Sequence, residues 1–147
     1  IYVKSQPTLK KINCPPSLNS NLIDEFLILF LAAAKANGIS SFSDLGELNK
    51  KESPRLKLGS QILNQLGIKT KLTKDSIKIF GDPKVDLKKS INIKNYYKDH
   101  RIFMTSVIAA FTFGGKWKID DLDSYKSSFP SFLDIIKKLG FKFKLVR

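Results

Sequence analysis

The 147 residues suffice for one domain with a real core, and a 42% hydrophobic content excludes a disordered chain. The longest apolar run, Phe26–Ala34, is too short to cross a bilayer. Cys14, the only cysteine, excludes an internal disulfide or a cysteine-based zinc site, which suits a reducing, cytoplasmic compartment. The net charge of +13 leaves two readings: attraction to an anionic partner, or lysines that are simply abundant and spread along the chain. No charged n-region with an apolar stretch opens the sequence. No signal peptide is therefore expected, and the chain reads as part of a longer protein.

In chain order, residues 1–5 alternate as a short strand would. Pro15 and Pro16 break the chain. Apolar residues at 23, 26, 27, 30, 31 and 34 predict a helix over 22–37, with Asn21 and Asp24 in a capping arrangement. Gly38 is expected to stop it before a strand at 39–42. Ser53 and Pro54 read as N-cap and first helical residue of a second helix, ended by Gly67. Strands are expected at 68–72 and 76–80, then at 91–93. Asp99 opens a helix to about Thr112, ended by Gly114 and Gly115. A strand at 116–119 follows. Ser128 and Pro130 are expected to start a last helix, and residues 141–146 to form a closing strand.

The two halves share a pattern. Residues 62–72 match residues 135–145 at an offset of 73, and Asp24 and Asp99 open apolar helices 75 residues apart. Two copies of one α/β unit are expected.

Polar clusters mark four expected helix starts: 21–24, 51–55, 99–101 and 126–128. Units of one hand place such starts at the same end of a domain. Helix N-termini bind phosphate and carboxylate, and Arg55 and Arg101 add bidentate forks. The residues therefore predict an anion site with carboxylates nearby. Asp24 and Asp99 are equally read as simple caps, and Glu52 beside Lys51 as a solvated pair. His100, the only histidine, has no cysteine partners, so no metal site is expected.

Four ordered motifs carry a resemblance. Lys51-Glu52-Ser53-Pro54-Arg55-Leu56 resembles the K-E-[ST]-D-R-[LI] motif of EPSP synthases. Asp99-His100-Arg101-Ile102-Phe103-Met104 is similar to that family's D-H-R-[IM]-A-M, Ser128-Phe129-Pro130-Ser131-Phe132 to its [ST]-[FY]-P-x-[FY], and Leu22-Ile23-Asp24-Glu25 to its I-D-E segment. Pro54 departs from the usual Asp. The related UDP-N-acetylglucosamine enolpyruvyl transferases share the fold but lack the K-E-S-x-R and D-H-R pair.

The resemblance implies an α/β enolpyruvyl transferase fold of two domains, each of three βαββαβ units. Residues 1–147 would be part of the C-terminal domain, with units at 1–80 and 81–147. It implies transfer of enolpyruvyl from phosphoenolpyruvate to the 5-hydroxyl of shikimate 3-phosphate, with no metal or organic cofactor. The active site would be shared with the N-terminal domain of the same protein, a monomer when complete, with neither nucleic acid nor membrane as partner. By position, Asp24 would contact the shikimate hydroxyls and take the 5-hydroxyl proton. Glu52 would move the proton on the methylene carbon of phosphoenolpyruvate, and Lys51 would sit between the substrates. Arg55 and Arg101 would hold the carboxylate and phosphate of phosphoenolpyruvate. Lys126 and Ser127 would reach phosphate, and Glu47 would line the ring pocket. The alternative from another class is a basic nucleic-acid-binding module, motivated by charge alone.

Overall fold

A computed structural model describes residues 2, 4 and 7–146. The chain divides into two compact units, Ile1–Val85 and Asp86–Arg147. Among the described residues, no single helix is long and apolar enough to cross a membrane.

The first unit is a four-stranded sheet with helices packed on it. Strand β1 (Leu9–Lys10) runs parallel to β2 (Ala36–Phe42); β2 pairs antiparallel with β4 (Ile77–Gly81), which pairs antiparallel with β3 (Thr70–Leu72). The sheet order is β1-β2-β4-β3. A short helix α1 (Asn19–Leu22) precedes α2 (Phe26–Ala34), and α3 (Arg55–Gln65) follows β2. The two long helices are separated by a single strand, where a βαββαβ unit would put two. The reason is that β2 runs unbroken through Gly38, and residues 43–54 form only a loop and a 3-10 turn, Gly46–Lys50.

Helix α2 has no polar residue and is buried at six of its nine positions. Its Phe26 and Phe30 meet Phe42 of β2 edge-on, with ring centroids 6.1 and 5.1 Å apart. Ile77 and Ile79 of β4 point into the same core while Lys78 between them is exposed, as the two-residue period of a strand requires. A Cβ on Gly59 would come within 2.9 Å of Leu27 Cδ2, so this glycine lets α3 close on α2.

Several expected boundaries move. The helix predicted over 22–37 is broken by a turn at 23–25, and the segments on either side are bent by 117°. Neither Asn21 nor Asp24 caps α2; its N-cap residue is Glu25, which makes no side-chain cap bond. Asp24 is thereby left in the turn, with its carboxylate available for other contacts. The helix also stops at Ala34, because the chain must enter β2 at Ala36 to pair Gly38 with Gly81. Ser53 is not the cap of α3. Pro54 holds that position and Arg55 begins the helix. The strand expected over 1–5 lies largely outside the described residues.

In the second unit, β5 (Leu87–Ile93) and β6 (Gly114–Ile119) pair in parallel across the helix α4 (His100–Phe113) that joins them. A 3-10 turn, Ser124–Ser127, leads to α5 (Phe132–Lys138). Asp99 caps α4 as expected, its side chain accepting from the N–H groups of Arg101 and Ile102. The last helix starts later than predicted, with Ser131 rather than Ser128 at its N-cap and no side-chain bond there. Residues 141–146 form no strand. Their alternation is real, but an extended segment needs a sheet edge to pair with, and no described strand pairs with them. Phe141 instead stacks on Phe111 of α4, ring centroids 4.2 Å apart.

Both units contain a strand, helix, strand, 3-10 turn and helix in that order, to which the first adds a 3-10 turn and α1 before α2 and strands β3 and β4 after α3. The helices α3 and α5 end alike. Gly67 and Gly140 have φ of 82° and 87°. In the first, the N–H of Gly67 donates to Asn64 O and that of Ile68 to Leu63 O; in the second, Gly140 donates to Lys137 O and Phe141 to Ile136 O. Each is a Schellman motif, satisfying carbonyls the helix leaves open. The two motifs are 73 residues apart, the offset found in the sequence.

Candidate active site

The site in the first unit is built around Arg55. As the first residue of α3 it lies where the chain leaves the loop, and only 2% of it is exposed. Its Nη1 donates to Asp24 Oδ1 at 3.1 Å, and its Nη2 donates to Glu52 Oε2. Lys51 Nζ lies 4.0 Å from the same Asp24 oxygen. One guanidinium thus gathers Asp24, from the turn before α2, and Glu52, from the loop before α3, and Asp24 brings in Lys51. The side chains of Asp24 and Glu52 stay half exposed, at 43% and 55%.

Burying a guanidinium costs several kcal/mol, and two charge-assisted bonds at about 1.5–3 kcal/mol each return a similar amount. The cluster therefore contributes geometry more than stability. A buried cation fixes two carboxylates that stay half exposed. Carboxylates in such a pair suit proton transfer, and the neighbouring cations suit oxyanions. With Pro54 in place of an acid, Arg55 takes its aim from Asp24 and Glu52.

Glu47 stands apart from these bonds. It sits on the exposed 3-10 turn and pairs with Lys50 at 2.8 Å. That hydrogen bond and charge hold its carboxyl below the usual carboxylate range and raise the Lys50 ammonium.

The second unit holds Arg101, Lys126 and Ser127. Arg101 is the second residue of α4, its N–H bonded to Asp99 Oδ1 at 2.8 Å. Asp99 is 1% exposed and acts as a cap, so the two aspartates read alike in sequence differ: one caps, the other joins the Arg55 cluster. Lys126 and Ser127 lie on the 3-10 turn. Lys126 pairs with Asp123 at 2.5 Å, and the Ser127 hydroxyl donates to Ser124 O at 3.0 Å. Tyr125 of the same turn stacks on Phe103 of α4, centroids 5.3 Å and planes 15° apart. The turn is thus held against the helix that carries Arg101. Tyr96 and Asp121, which bind the loops on either side, were not singled out from sequence. The Asp121-to-Ser124 spacing of an Asx turn was the only local signal.

A family model described as EPSP synthase (3-phosphoshikimate 1-carboxyvinyltransferase) matches residues 3–136. The chain belongs to the EPSP synthase family. The 3-phosphoshikimate 1-carboxyvinyltransferase of Ruthia magnifica is 38% identical over 138 residues, covering 94% of this chain and 31% of the relative. That of Zymomonas mobilis is 38% identical over 140 residues, covering 93% and 31%. Among solved structures, an EPSP synthase from Acinetobacter baumannii superposes with a TM-score of 0.81 at 32% identity, covering 89% of this chain and 30% of that one. The chain therefore has the enolpyruvyl transferase fold and spans about a third of the length of its relatives. These relatives support the transferase reading and not the nucleic-acid-binding one.

Proposed function

We propose that this chain supplies the C-terminal-domain side of the active site of a 3-phosphoshikimate 1-carboxyvinyltransferase, completed by an N-terminal domain of the same protein. The reaction joins the 5-hydroxyl oxygen of shikimate 3-phosphate to C2 of phosphoenolpyruvate while a proton adds to its methylene carbon. Phosphate then leaves and that carbon loses a proton. The observation that carries the reading is the Arg55 cluster, in which Asp24 and Glu52 meet on one buried guanidinium and Lys51 pairs with the same Asp24 oxygen.

In this reading Asp24 takes the hydroxyl proton, Glu52 moves the proton on carbon, and Lys51 balances charge between the substrates. Arg55 holds both carboxylates and, with Arg101, meets the carboxylate and phosphate of phosphoenolpyruvate. Lys126 and Ser127 add donors to phosphate, and Glu47 lines the ring pocket. We further infer that the units expected over 1–80 and 81–147 are copies of one folding unit. Their shared element order and matched helix ends support this. A cytoplasmic enzyme, monomeric when whole, fits the same reading.

The test is on the full-length protein. Glu52→Gln and Asp24→Asn should each cut turnover by roughly 10²–10⁴, the usual worth of a positioned acid or base. Proton NMR in D₂O, with the tetrahedral intermediate supplied directly, separates their roles. Glu52→Gln should abolish deuterium entry at the methylene carbon, and Asp24→Asn should affect it less. Normal exchange in Glu52→Gln would remove Glu52 as the carbon acid and point to Lys51.

A further inference from the structure

The segment before α4 is conformationally unusual. Asn95, Tyr97 and Lys98 all have positive φ, at 58°, 61° and 54°. Non-glycine residues rarely adopt such angles, and three in four positions persist only where the surroundings over-determine them. The residue they flank, Tyr96, is what pins the segment. It is 4% exposed, and its hydroxyl donates to the carbonyl of Asp120, just past β6. Its own carbonyl accepts the N–H of Asp99 at 3.1 Å. Asp121, also at positive φ (73°), accepts the N–H groups of Asp123 and Ser124 at 2.8 and 3.3 Å.

These contacts form a closed ring. It runs from the Ser124–Ser127 turn through Asp121 and Asp120 to Tyr96, then to Asp99 and the start of α4 at Arg101. It returns through the stack of Phe103 on Tyr125. Arg101 follows Asp99 in this ring, and Lys126 and Ser127 belong to its turn. We propose that Tyr96 and Asp121 are positioning residues, which fix Arg101 and the Lys126–Ser127 turn in one mutual geometry for a substrate oxyanion. Neither needs to touch the substrate. Burial and the nearby Asp121 charge push the Tyr96 hydroxyl well above its ordinary range, partly offset by Ser124. It therefore stays protonated and keeps donating to Asp120.

The proposal rests on the function proposed above, so Arg101→Ala in the full-length protein is the first arm of its test. It should raise KM for phosphoenolpyruvate at least tenfold. An unchanged KM there would overturn the anion role of Arg101 and this proposal with it. Tyr96→Phe and Asp121→Gly, which removes the acceptor at a residue whose positive φ suits glycine, should each raise that KM about three- to tenfold, the worth of one buried hydrogen bond, with kcat within about twofold. In the Arg101→Ala background, Tyr96→Phe should add less than about twofold, because the group it positions is gone. Unchanged KM in both variants, with Arg101→Ala still effective, would overturn the positioning role and leave the function standing. So would effects fully additive with Arg101→Ala and accompanied by a lower melting midpoint. Should Tyr96→Phe lose its melting transition, Asp121→Gly carries the same comparison.

Discussion

Arg55 does two things that a lysine could not. Its planar fork reaches Asp24 with one nitrogen and Glu52 with the other, while 98% of the residue is out of water. Arg55→Lys keeps the charge and loses the fork. It should lower turnover of the full-length protein at least tenfold, the worth of one lost charge-assisted bond. Steady-state kinetics with both substrates checks it. Arg101→Ala should weaken phosphoenolpyruvate roughly tenfold to a hundredfold and shikimate 3-phosphate far less, measured by equilibrium binding. Equal weakening of both would make Arg101 structural. The motifs singled out Arg55 in the sequence. Its burial was not visible, because Asp24 stands 31 residues away and only the fold brings them together. Asp99 was legible as a cap because its partners are two and three residues on.

Helix ends give a sharper test of the repeat than the strands do. A Cβ on Gly67 or on Gly140 would meet nothing within 4 Å, so alanine there pays only for its left-handed backbone. Each substitution should cost about 1–2 kcal/mol, read as similar falls in the unfolding midpoint. Gly81→Ala is a different case. Its Cβ would lie 2.2 Å from Ala36 O and 2.4 Å from Ala33 O, both backbone atoms that cannot swing aside. It should cost about 1–3 kcal/mol or more, and it would open the junction of α2, β2 and β4. Periodicity found every long helix, since each buries an apolar stripe that the sequence displays. It misplaced the start of α2, where a turn at 23–25 interrupts a run that stays apolar on both sides. It also counted residues 141–146 as a strand, because alternation reports a side-chain pattern and not a pairing partner.

At the scale of the whole molecule, the +13 charge is the least specific feature. Exposed lysines occur along both units and pair locally, as Lys50 with Glu47, Lys88 with Asp86 and Lys126 with Asp123. A gel shift at physiological salt should show no tight nucleic-acid complex. A high affinity falling steeply with salt would revive the discarded alternative. We propose that this chain holds the acid–base cluster of an active site that the rest of the protein completes, since it spans about a third of its relatives. The most direct measurement is phosphate release from phosphoenolpyruvate and shikimate 3-phosphate, run side by side on the full-length protein and on residues 1–147 alone. The full-length protein should release phosphate only when both substrates are present, and residues 1–147 should not exceed a buffer blank. Turnover by the 147 residues alone, or none by the full-length protein, would contradict the account.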